Sequence, residues 1–154
     1  MDEKLTKAKK VFATLCAALD SIDWHYDKDE DDLTIESGAR GDDLPMDVNF
    51  KINSERQISI LFSKLPYKIE ESQRLALALA VAKVNNAMVD GFFDYDITTG
   101  NIYFKLTSSF VDCEVSEELF LYMLRLSLAM IDEYNDKFLM LSKGVISITD
   151  FLNS

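Results

Sequence analysis

Gly91-Phe92-Phe93-Asp94-Tyr95-Asp96-Ile97, then Thr98-Thr99-Gly100-Asn101, then Ile102-Tyr103-Phe104-Lys105-Leu106-Thr107, is the stretch that decides the fold. Two aromatic, alternating runs meet at a short Gly-Asn turn, where Gly and Asn accept the positive φ that tight turns require. This is an antiparallel hairpin. Upstream of it, Leu75-Ala-Leu77-Ala-Leu79-Ala-Val81-Ala lies within a helix read from Glu70 to Val89 and stopped by Gly91. That helix is apolar nearly all round for two turns, so the expectation is that it is covered on more than one side. Downstream, Ser116 is a favourable N-cap, and Glu117 and Glu118 stand where the helix dipole favours negative charge. The last long helix runs from there to about Lys143, with Gly144 as its stop and an apolar stripe wider than one contact needs.

The remaining elements follow from periodicity. Leu5, Ala8, Val11, Phe12, Leu15, Leu19 and Ile22 recur every three or four positions and mark an amphipathic helix over Asp2 to Ile22. Leu33 to Glu36 reads as a short strand, after the polar stretch that Trp24-His25-Tyr26 opens. Met46 to Asn53 and Gln57 to Lys64 alternate and form a hairpin around Ser54-Glu55. Val145 to Leu152 reads as a short helix or a docked segment. The predicted class is therefore α+β: helix, three strands, helix, two strands, helix, with an antiparallel sheet packed by helices and the first and last long helices on its inner face. At 154 residues, 48% hydrophobic, the chain has the size and apolar content of one domain over residues 1–154.

Charge narrows the partners. With 27 acidic and 16 basic residues, net −11, the chain repels phosphate backbones and anionic headgroups, so neither nucleic acid nor membrane is an expected partner. The N-terminus lacks the apolar core of an export signal, and the longest apolar run, Leu75 to Ala82, falls far short of the ~20 residues that span a bilayer. A cytoplasmic location is expected, and two unpaired cysteines, Cys16 and Cys113, suit a reducing compartment.

The order of elements, with Asn85 or Asn86 near the end of the middle helix, the glycine-turn hairpin, and Glu114, Glu117 and Glu118 opening the last helix, resembles the YbjN-like domain family, whose fold is similar to type III secretion chaperones. The resemblance spans roughly Thr6 to Leu141. It implies a protein-interaction role and transfers no active site. The related chaperones are small, acidic and commonly dimeric, and hold partner segments against exposed apolar patches; a homodimer is the corresponding expectation here.

Candidate chemistry is sparse, and no cofactor is implied. Asp27, Asp29 and Asp31 occupy positions one, three and five of a calcium loop, but Asp32 stands where the turn needs Gly and Gly38 where a bidentate Glu closes the site. His25 is the single histidine, with neither cysteine at metal-ligand spacing, and Asp23 or Asp27 beside it as its nearest carboxylates. Asp94 and Asp96 share one side of their strand at about 7 Å, a spacing for paired-carboxylate chemistry that edge strands also use against aggregation. Arg40-Gly41-Asp42 has the form of an integrin-type tripeptide, which needs an extracellular setting. No phosphate loop or nucleophile elbow occurs.

A surface is the stronger signal. The alternating set Val48, Phe50, Ile52, Ile58, Ile60, Phe62, Phe93, Tyr95, Ile97, Ile102, Phe104 and Leu106 is expected to face the helices. Leu61, Phe92 and Tyr103 then fall on the opposite face as exposed apolar residues, the predicted partner-binding positions. Met123, Met130 and Met140 on the last helix offer a second adaptable surface. The sequence reading is a non-enzymatic interaction module, chaperone-like or a regulatory adapter. The alternative is a small-molecule sensor or carboxylate enzyme using Asp94 and Asp96. A DNA-mimicking inhibitor ranks last, because the acids are scattered among lysines.

Overall fold

The computed structural model describes residues 2–154. Helix α1 (Glu3–Ser21) starts at Asp2, whose carboxylate accepts the Lys4 N–H, and buries Ala8, Val11, Phe12, Leu15, Ala18 and Leu19. Six strands follow in the order β1 (Tyr26–Asp29), β2 (Thr34–Arg40), β3 (Pro45–Asn53), β4 (Ile58–Lys64), β5 (Phe92–Asp96) and β6 (Asn101–Ser109), with α2 (Arg74–Ala87) between β4 and β5 behind one 3₁₀ turn. Helices α3 (Glu117–Ser142) and α4 (Ile148–Asn153) close the chain. Ser116 caps α3 by accepting the Leu119 N–H, with Glu117 and Glu118 in the first turn, as its sequence predicts.

One strand escaped the sequence reading. Tyr26–Asp29 pairs antiparallel with β2 in spite of its polar composition, because its ladder bonds to β2 need no buried face. The result is a six-stranded antiparallel sheet in the order β1-β2-β3-β4-β6-β5. Between β1 and β2, the Asp29 carboxylate accepts the N–H groups of Asp31 and Asp32, so the acidic run is a closed turn.

The helices gather on one face. α1 and α3 pack on each other, α1 on β3, and α3 on β4 and β6; α2 lies along β5 against α3 and α4. Phe50 meets Phe120 edge-on, and Phe93 meets Phe104, Tyr134 and Phe138. Helix α4 is held by Phe151 stacking on Phe138, and Lys83 donates to the carbonyls of Phe151, Leu152 and Ser154.

Two expectations are corrected. Helix α2, expected to be covered on more than one side, buries a single stripe: Leu77, Ala80, Val81 and Val84 are buried, but Leu75 is 78% and Leu79 55% exposed. Ile97, expected inward, lies past the end of β5 and is exposed.

The aromatic hairpin is locked onto α2 by polar contacts. Asn85 donates from Nδ2 to the Phe93 carbonyl and accepts the Phe93 N–H on Oδ1, so one amide side chain pairs with the edge strand as a neighbouring strand does. Arg74 donates to the carbonyls of Thr98 and Thr99, and the Tyr95 hydroxyl donates to the Arg74 carbonyl. Gly100 sits at φ +80° and accepts the Ile69 N–H, and a Cβ there would lie 2.7 Å from the Ile69 carbonyl oxygen. Gly144 has a similar φ of +74° but nothing within 4 Å of that position.

Gly100→Ala is accordingly expected to cost about 2–4 kcal/mol, from left-handed strain plus the backbone clash. Gly144→Ala should cost only about 1 kcal/mol. Urea unfolding of both variants checks the ranking; equal losses would remove the close approach at Gly100 as the cause.

Candidate functional site

The face of the sheet away from the helices is built by register. Leu61 stands directly opposite Phe50 on β3 and Leu106 on β6, and all three are buried. Side chains alternate along a strand, so Ser59 and Ser63 share the inner face with Leu61, while Ile58, Ile60 and Phe62 point to the other. The sequence assignment of β4 is thus reversed. Leu61, predicted to be an exposed partner-binding residue, is fully buried, and the three residues expected inward are only half-buried.

The physical reason is volume. The inner layer already holds Phe50, Phe93, Phe104, Phe110, Phe120 and Phe138 fully buried, and Ser63 lies opposite Phe104. Small serines on the central strand leave that space, whereas two isoleucines and a phenylalanine would overfill it. Alternation in β4 alone could not show this, because both of its faces carry apolar residues.

The outer face therefore has an apolar row along its central strand. Asn53, Lys51 and Asn49 flank Ile58, Ile60 and Phe62 on β3, and Ser109, Thr107 and Lys105 flank them on β6. Across β6, Lys105 stands opposite Phe92, so Phe62, the Lys105 stem and Phe92 form one crossing line. Phe92 is 44% exposed and Tyr103 half-buried, with the Lys105 ammonium 5.7 Å from the Tyr103 ring centre. Phe92 and Tyr103 thus lie on the outer face, beside a row that the sequence pattern had placed inside.

The carboxylates proposed for chemistry are otherwise engaged. Asp94 pairs with Lys105 at 2.6 Å. Asp96 accepts the N–H groups of Thr98 and Thr99, and the Thr98 bond holds its carboxyl below the usual carboxylate range. Asp96 is a turn former here.

Concavities lie elsewhere. A groove of about 780 Å³ runs between α1 and the loop before α3, lined by Lys7, Lys10, Val11, Thr14, Cys113 and Val115. Both cysteines are free, and burial pushes the Cys16 thiol up. A second groove of about 590 Å³ brings His25 and Trp24 beside Arg40, Asp42 and Asp132. Trp24 is fixed by its indole N–H on the Ser37 hydroxyl, and Asp132 closes the Arg40-Gly41-Asp42 loop by accepting the Asp42 N–H. Among the described residues no three His, Cys, Asp or Glu side chains converge as a cation site, and no helix is long and apolar enough to cross a membrane.

Next to that groove, partial desolvation and the nearby Asp136, Asp132 and Asp42 raise the Asp43 carboxyl. A carboxyl raised in the folded state disfavours folding at neutral pH, and this penalty fades as pH falls through its folded value. Asp43→Asn should therefore stabilise the chain at pH 7 and low salt, with the gain shrinking toward pH 4, as thermal melts would show. Leu61→Asp should cost more than about 3 kcal/mol, whereas Ile60→Asp should cost about 1 kcal/mol. Equal destabilisation in urea would contradict the assigned faces.

No family model and no curated protein matches this sequence. Solved structures do share its fold. YbjN from E. coli is 14% identical, with 79% of this chain and 86% of that chain covered and a TM-score of 0.58. A chain of the ExsC–ExsE complex is 15% identical, with 88% and 96% covered and a TM-score of 0.56. A chain of the HopA1–SchA chaperone–effector complex is 15% identical, with 86% and 95% covered and a TM-score of 0.53. The six-stranded antiparallel sheet with helices on one face is thus a YbjN-like fold, similar to that of type III secretion chaperones.

Proposed function

We propose that residues 1–154 act as one non-enzymatic, cytoplasmic protein-interaction module, chaperone-like or a regulatory adapter, that holds a partner protein on the helix-free face of its sheet. The carrying observation is the apolar row Ile58, Ile60 and Phe62, continued by Phe92 and Tyr103, on the face opposite the one that holds Phe50, Leu61 and Phe104 against α1 and α3. Half-buried apolar side chains lined up on one face gain most from a partner that removes them from water, at about 25 cal/mol per Å². That one structure of this fold is a chaperone–effector complex supports the reading. The carboxylate alternative loses its support, because Asp94 and Asp96 already have partners.

The homodimer belongs to the same reading, and its best seat is α2. From Arg74 to Val89 the chain has no acidic residue, and Leu75, Leu79 and Ala82 are exposed on one side. Two copies that each carry −11 repel, so a self-contact is favoured where no carboxylate faces its counterpart. Light scattering should show a dimer at micromolar concentration that Leu75→Asp converts to monomer; a wild-type monomer throughout would end this part of the proposal.

Affinity capture from lysate of the native host tests the function itself. A stoichiometric protein retained by the wild type and by Leu75→Asp, but lost in Ile60→Asp and Phe92→Asp, is the expected result. Retention in all variants would move binding away from the sheet.

A further inference from the structure

We infer that the occupant of the open sheet face is an amphipathic α-helix of a separate protein, with acidic residues flanking its apolar stripe; this rests on the function proposed above. The first argument is about backbone groups. A peptide on the face of a sheet cannot reach the ladder, whose N–H and C=O groups are already paired between β3, β4 and β6. An extended occupant would desolvate its own backbone without partners, whereas a helix satisfies these groups internally.

The second argument is charge. This chain carries −11, yet among the described residues no carboxylate is the cross-strand partner of Ile58, Ile60 or Phe62; Asp47, which accepts the Lys64 N–H, and Asp94, paired with Lys105, stand at one end of the row. Its charged neighbours are Lys51, opposite Ile60, and Lys105, opposite Phe62, with Lys64 two residues beyond Phe62 on the same side. Lys105 is neutralised by Asp94. Among the described residues, Lys51 and Lys64 are exposed and make no ion pair. Two free ammonium groups, on β3 and at the end of β4, match carboxylates at the border of an apolar stripe and oppose a lysine-flanked one. The net negative charge repels such a helix at long range, but salt screens that beyond about 8 Å, so the contacting groups set the preference.

The test is an NMR titration of the full-length, isotope-labelled chain with three synthetic peptides of about five helical turns. One carries leucines at i, i+3, i+4 and i+7 with flanking glutamates. The second has lysines for those glutamates, and the third has central prolines that forbid the helix. Expected are amide shifts at Lys51, Ile60, Phe62 and Lys64 with the glutamate peptide, binding at least about tenfold weaker for the lysine peptide, and loss in Phe62→Asp. The double variant Lys51→Glu/Lys64→Glu should reverse the preference. Equal or tighter binding of the lysine or proline peptide overturns the inference, as do absent shifts or shifts that map to α2. So does concentration-dependent broadening of the same amides that Ile60→Asp abolishes, which would make a second copy the occupant. If the inference fails while partner capture still depends on Ile60 and Phe92, the protein-binding function stands without it. Loss of both dependences removes both.

Discussion

The placement of β4 between β3 and β6 is the constraint on which the rest depends. Leu61 is clamped between Phe50 and Leu106, and its burial sends every second residue of the central strand to the opposite face. A slip of one residue would drive Ile58, Ile60 and Phe62 into a layer already filled by six phenylalanines and leave Leu61 in water. Overpacking and lost burial act in the same direction, each worth a few kcal/mol. The buried serines Ser59 and Ser63 are the cost of this choice: Ser63 donates its hydroxyl to Asp47, and Ser59 has no partner. One register decision thus sets the density of the core and the composition of the open face together.

The edges of the sheet are handled by side chains. At the β5 edge, Asn85 takes both hydrogen-bonding groups of Phe93, and Arg74 gathers the carbonyls of the hairpin turn. These contacts fix α2 beside β5 and place its remaining apolar residues, Leu75 and Leu79, outward. At the β1 edge, Asp27, Lys28 and Asp29 give a short charged strand, a composition that discourages pairing with another chain. Both edges are thus blunted against pairing with a further strand.

Charge is distributed unevenly over this frame. Acids collect in the β1–β2 turn and where Asp42 and Asp43 meet Asp132 and Asp136, away from the apolar row. Directly opposite Ile58, Ile60 and Phe62 stand Asn53, Lys51 and Asn49 on β3 and Ser109, Thr107 and Lys105 on β6, with Asp47 and Asp94 at one end of the row.

Much was legible in the sequence. The cap at Ser116, the Gly144 stop, the Gly100 turn and the alternation of β3 and β6 come from local preferences that neighbouring residues express by themselves, so α1, α3 and the existence of both hairpins are recoverable from the sequence; the middle helix, read as stopped by Gly91, instead ends at Ala87. Phe92 and Tyr103 were assigned to the outer face for the same reason. The strand Tyr26–Asp29 was not legible, since a polar edge strand is specified by its neighbour's ladder rather than by its own pattern. Nor were the faces of β4 and α2. Both segments are apolar on two sides, so periodicity offers either answer, and only the space left by the packed aromatic layer decided that Leu61 goes inside and that Ile60, Phe62, Leu75 and Leu79 meet solvent.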